Sequence, residues 1–146
     1  MDYINVEGII LPNVPLSNID LEYAVKRLNI LNFRGCYCVN TLPKIYHRVE
    51  CGILNLDNSR GNGIHWSAWY ITEQACGGNN SNKICFDSYG VDPPLELIKY
   101  LGSSIYCSTE SIQPRDTVVC GHLCLYVLKK LSDGWDYLEI LNSLTG

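Results

Sequence analysis

The sequence predicts an α+β fold, and three segments carry that prediction. LSNIDLEYAVKRLNI (16–30) repeats apolar residues at helical spacing. HWSAWYIT (65–72) and KICFDSY (83–89) read as strands on either side of a polar, Gly- and Asn-rich loop. CGHLCLYVLKKL (120–131) is apolar on nearly every side, the pattern of a helix buried inside a domain. Strands grouped mid-chain and surrounded by helices give α+β.

Taken in order, helix 16–30 has Ser17 or Asn18 as N-cap and Asp20 and Glu22 in its first turn. Its apolar face is Leu21, Ala24, Val25 and Leu28. ECGILNLD (50–57) is a strand, separated from 65–72 by the turn-rich NSRGNGI (58–64). The loop EQACGGNNSN (73–82) is short enough to join two antiparallel neighbours. PPLELIKYLG (93–102) is a helix with prolines at its start and Gly102 just past its end. SSIYCST (103–109) is a further strand. The buried helix ends in Lys129 and Lys130, cations that suit its dipole, and GWDYLEILNSL (134–144) closes the chain as an amphipathic helix.

At 146 residues the chain fits a single domain, 1–146, with a sizeable core. An apolar share of 47% with 18% charged residues is globular composition, not disorder. The net charge of −4, with no dense Lys/Arg run, speaks against general attraction to nucleic acid. No apolar run approaches the roughly 18 residues a membrane span needs. The opening MDYINVEGII is acidic and lacks a basic start, so no secretory leader is expected and the protein should stay inside the cell. The eight cysteines are then expected as thiols, and their spacing matches no common zinc site, so no metal is expected.

One cysteine stands apart. In QPRDTVVCGHLC (113–124), Cys120 lies where polar, turn-prone residues give way to the buried helix, and backbone N–H groups at a helix start favour a thiolate. A nucleophilic cysteine needs a base, a group to orient that base, and oxyanion donors. His47 has no evident partner, and His122 projects about 200° away from Cys120 on a regular helix. His65 begins a strand whose hairpin neighbour carries Asp87. Folding about the 73–82 loop sets residue 65 opposite approximately residue 90, with the register open by one position. Asp87 would hold the His65 imidazole in one tautomer, and the Gln113 amide with the Cys120 N–H would meet an oxyanion. Gly121 would leave room for a substrate backbone beside the sulfur. Taken singly, each residue has a plainer role: packing thiol, strand-end histidine, turn-forming aspartate, loop glutamine.

GIHWSAWY, CFDSYG and Q-x6-CG, in that order, resemble adenain, the adenovirus endopeptidase, and its relatives in other DNA viruses and virus-like mobile elements. They are more distantly similar to proteases that process ubiquitin-like modifiers such as SUMO. The family order His, Asp or Glu, Gln, Cys is matched by His65, Asp87, Gln113 and Cys120. NFRGCYCVNTLP and ECGILNLD extend the resemblance over roughly residues 32–131. It implies a papain-like α+β fold with a mixed central sheet and a central helix starting at the nucleophile. It also implies a monomeric cysteine endopeptidase that cuts viral precursor proteins next to glycine, in the host nucleus or cytoplasm and in the virion. Trp66 would correspond to the tryptophan that walls the substrate channel. The family's DNA and activating-peptide cofactors are not expected here. The chain is acidic and shorter than adenain toward its C-terminus, and Cys107, nearest to the peptide-attaching cysteine, is out of alignment. The same site would serve an isopeptidase acting on ubiquitin-like modifiers. A binding domain that kept the fold and lost catalysis is the third reading, and the intact set of four residues opposes it.

Overall fold

The computed structural model describes residues 2–56, 65–74, 81–113 and 117–145. The expected 58–64 turn, most of the 73–82 loop, and Cys76 lie outside them. The chain opens with an antiparallel hairpin, β1 (Tyr3–Val6) and β2 (Ile9–Pro12), that the sequence pattern does not announce. Its two-residue turn, Glu7-Gly8, takes positive φ at both positions (48° and 94°), as a hairpin turn of this length requires. Helix α1 (Asn18–Leu28) follows, with Ser17 as N-cap in a reciprocal capping box with Asp20, and it buries the four expected apolar residues.

The central sheet has five strands in the order β3-β4-β5-β6-β7: Phe33–Cys38, Glu50–Asn55, Trp66–Ile71, Lys83–Phe86 and Ile105–Cys107. It is mixed, parallel at both outer pairs and antiparallel at the two inner ones. Strand β3 escapes the sequence reading because FRGCYC is half-buried at an edge and lacks alternation; its register shifts between Phe33 and Cys36. Helix α2 (Leu95–Leu101) precedes β7, and Gly102 (φ +80°) ends it as expected.

Period-2 alternation divides the core between the sheet's two faces. Ile53, Trp66, Ala68, Ile84 and Phe86 pack toward α1 and toward α3 (Cys120–Ser132). Leu54, Trp69, Ile71 and Cys85 pack instead with Leu97 and Leu101 of α2. The expected central helix is α3, which buries Leu125, Val127, Leu128 and Leu131. Each such side chain contributes roughly 1.5–3 kcal/mol of transfer free energy. The last helix, α4 (Tyr137–Thr145), starts later than the sequence suggests. Gly134 (φ +95°) belongs to the end of α3, donating to the Leu131 carbonyl. Asp136 then caps the new helix through the Leu138 N–H at 3.2 Å.

Candidate active site

Strand β6 ends one residue before Asp87, and β5 begins one residue after His65, so both side chains leave the sheet at the same end. The β5–β6 register ends with Ala68 paired to Phe86; the same count continued past the strand ends would set His65 opposite Tyr89. Asp87 is then the diagonal neighbour of His65 on the same face, one position from the expected register. His65 Nε2 and Asp87 Oδ2 are 2.9 Å apart, and the His65 ring stacks on Tyr89 with centroids 4.9 Å apart. The aspartate is fixed in turn: its Oδ1 accepts the Tyr89 N–H at 2.8 Å, and its own N–H meets Ser108 Oγ at 3.4 Å.

Trp66 docks the strand end onto α3. Its N–H donates to Cys120 Sγ at 3.4 Å, its carbonyl accepts the Cys124 thiol at 3.5 Å, and its indole Nε1 donates to the Leu16 carbonyl at 2.8 Å. These bonds set Cys120, the first residue of α3, beside His65. Asp87 occupies Nε2 of the imidazole, so the hydrogen bond between His65 and Cys120 falls to Nδ1. Burial alone lowers the pKa of this imidazole. The hydrogen bonds to Asp87 and Cys120, with the charges of both, outweigh burial and raise it from 6.5 to about 9. An imidazolium beside the sulfur is thus the favoured state at neutral pH. Cys124, one turn further into the helix, is the contrasting thiol: burial pushes its pKa well up, and it serves packing.

Gln113 is buried between the Asp87 turn and the segment entering α3. Its backbone N–H donates to the Ser88 carbonyl at 3.1 Å, its Oε1 accepts from Ser88 Oγ, and its Nε2 donates to the Thr117 carbonyl at 3.1 Å. Ser88 and Tyr89, neither singled out in the sequence, complete the surroundings of the site. The signal was present in CFDSYG, where Ser88 and Tyr89 directly follow Asp87 in the turn that ends β6.

Gly121 requires a correction. A Cβ there would lie 3.3 Å from Leu21 Cδ2 and Trp66 Cδ1 and 3.4 Å from Leu16 Cδ1, so the missing side chain makes room for the core, not for a substrate. Trp66 is itself buried, as a core tryptophan would be, yet it also walls a pocket of about 330 Å³. Ser17 and Asn18, residues 36–38 of β3, Thr41 and Asn55 line the rest of that pocket. Among the described residues no group of three or more His, Cys, Asp or Glu side chains is placed to hold a metal ion, and no helix is long and apolar enough to cross a membrane.

No protein-family model matches the sequence, and no curated protein matches it. Among solved structures, the chain is similar to the ASFV pS273R protease, with a TM-score of 0.62 at 16% identity over 90% of this chain. The match spans 63% of that protease's length. At this identity the likeness is one of fold: a mixed sheet flanked by helices, as in papain-like proteases.

Proposed function

We propose that the chain is a cysteine peptidase, with residues 1–146 as one catalytic domain. The reading is carried by one observation: an imidazole held by Asp87 at 2.9 Å and hydrogen-bonded to a cysteine that opens a buried helix. The fold likeness to a protein described as a protease adds to it.

His65 Nδ1 holds the proton of Cys120, and the thiolate attacks the scissile carbonyl carbon. The carbonyl oxygen becomes an oxyanion that accepts from the Cys120 N–H and from Gln113 Nε2. His65 then passes its proton to the departing amine, the C–N bond breaks, and a thioester remains on Cys120. Water, losing a proton to His65, attacks the thioester; the acid product leaves and the thiolate–imidazolium pair is restored. Asp87 keeps Nε2 protonated throughout. Side chains and water suffice for this chemistry, and neither DNA nor an activating peptide belongs to the proposal.

The substrate we propose is a protein or peptide with glycine before the cut, such as a viral precursor, as the resemblance in the order of His65, Asp87, Gln113 and Cys120 implies. The test incubates the protein with peptides that carry glycine or alanine before the scissile bond, alongside ubiquitin- and SUMO-type C-terminal probes. Cleavage after glycine that disappears in Cys120→Ala is the expected result. Reaction with the modifier probes alone would reassign the enzyme to isopeptidases. No turnover and no labelling of Cys120 by any probe would remove the peptidase reading.

A further inference from the structure

The amide of Gln113 has two nearly isosteric ends, and only one of them can serve an oxyanion. We infer that Ser88 is the positioning residue that sets this amide the right way round and joins the Asp87 turn to the oxyanion loop. The inference rests on the peptidase reading above and adds a residue to it.

Ser88 is fully buried, directly after Asp87. The Thr117 carbonyl can only accept, so the amide end facing it is the NH2 group. The other end, at Ser88, is therefore the carbonyl, and the Ser88 hydroxyl must donate to it. A flipped amide would set Oε1 against the Thr117 carbonyl and present an acceptor to the developing oxyanion. Ser88 and Thr117 together exclude that arrangement, and the second N–H of Gln113, which has no partner among the described residues, is the one we assign to the reaction.

The main chain reinforces the side-chain contact. The Ser88 carbonyl accepts from both Ile112 N at 2.8 Å and Gln113 N at 3.1 Å, so one residue grips the backbone and the side chain of the Gln113 segment. Two residues on, Gly90 (φ +72°) presses against the same loop; a Cβ there would lie 2.7 Å from the Thr109 carbonyl oxygen. The turn that carries the acid and the loop that carries the oxyanion donor thus move as a unit.

The experiment is a double-mutant cycle on the full chain: wild type, Ser88→Ala, Gln113→Ala and the double variant. Three measurements are made on each: kcat and KM for a glycine peptide, the rate of Cys120 alkylation by iodoacetamide, and thermal unfolding. Alkylation needs the thiolate but forms no oxyanion, so it separates the nucleophile from the donor. Loss of one oxyanion donor typically costs about 10²–10³ in kcat. Ser88→Ala is expected to lower kcat by about 10–100-fold, part of that loss, with KM and alkylation little changed. In the Gln113→Ala background the same substitution should cost under about twofold, because Ser88 then has nothing to orient. Equal losses in both backgrounds, or alkylation falling in step with turnover, would mean that Ser88 acts on the His65–Asp87 pair, and would overturn the inference. Full activity in Gln113→Ala would instead remove the oxyanion role of Gln113, a failure of the underlying reading that the cycle reports separately. Ser88→Cys, similar in volume but a weak donor, covers the case of an unstable Ser88→Ala. It should show the same kcat loss, and wild-type kcat in that variant would overturn the inference.

Discussion

Two thiols one helical turn apart, Cys120 and Cys124, meet the same residue, one through the N–H of Trp66 and the other through its carbonyl. They differ in what else they touch: Cys120 adjoins an imidazole, whereas Cys124 is enclosed by core. Iodoacetamide at neutral pH is therefore expected to label Cys120 far faster than Cys124, with Cys120→Ala inactive and Cys124→Ala active. Mass mapping of the labelled peptide decides it, and activity surviving in Cys120→Ala would assign the nucleophile elsewhere. The base gives a second expectation. His65 has its pKa raised to about 9 partly by Asp87, so the active ion pair is lost as pH rises through that value. Asp87→Asn removes the charge and lets the imidazole fall back toward 6.5. The alkaline limb of kcat/KM should move to lower pH in that variant, with residual activity below it. An unmoved limb would show that Asp87 does not set the imidazole's proton affinity. These three residues were legible in the sequence because chain order and residue type carry them. Gly121 was misread even though its position was informative: residues 121, 125 and 128 share one helix face, and that face is core.

Between elements, a buried polar assembly forms around Glu50, the first residue of β4. Its Oε1 takes Arg34 of β3 at 2.8 Å and the His47 N–H at 2.7 Å; its Oε2 takes Trp69 Nε1 of β5 at 2.8 Å and the Tyr100 hydroxyl of α2 at 2.6 Å. One carboxylate thus joins three strands, a loop and the helix on the far face. Burial raises its pKa, but the four bonds outweigh that and the net shift is downward. Glu50→Ala leaves these donors without their acceptor, and truncating one partner of a buried ion pair typically costs about 3–5 kcal/mol. Urea unfolding should report a loss of that order, with His65, Asp87 and Cys120 untouched; a change under about 1 kcal/mol would mean that water replaces the carboxylate at little cost. No sequence pattern announced this assembly, because Arg34, Glu50, Trp69 and Tyr100 come together only once four elements pack. Strand β3 and the first hairpin were unreadable for a related reason: β3 is half-buried at the sheet edge, the hairpin strands are short, and both acquire their pattern from their neighbours. The long apolar helix and the central hairpin carried their own periodicity and were legible.

Across the whole molecule, His65 and Glu50 titrate on opposite flanks of the stability curve. His65 has a pKa of 6.5 when unperturbed and about 9 in the folded chain. Between those values the folded state binds more protons than the unfolded one, so stability falls as pH rises. The contribution is complete below 6.5 and gone once pH passes about 9. Cys36 and Cys51, whose thiols burial pushes from 9.0 to about 12, extend the decline above pH 9. Glu50 works the other way: its folded pKa lies below 4.5, so its contribution is present above that value and disappears as pH falls through the folded pKa. Burial lowers the pKa of His122 from 6.5, so it too loses stability as pH falls below that value, and stability should peak near pH 6.5, at the edge of the region where the imidazolium is lost. The discriminating window is pH 6.5 to 8.5, where His65 titrates before the thiols begin. Urea unfolding of wild type, His65→Ala and Glu50→Gln across pH 4–9 tests the division. His65→Ala should flatten the slope in that window and leave the acid flank intact, while Glu50→Gln should do the reverse. An unchanged slope between pH 6.5 and 8.5 in His65→Ala would mean that the proton lost there belongs to another group. The His65–Asp87 pair would then add nothing to the stability of the fold that holds it.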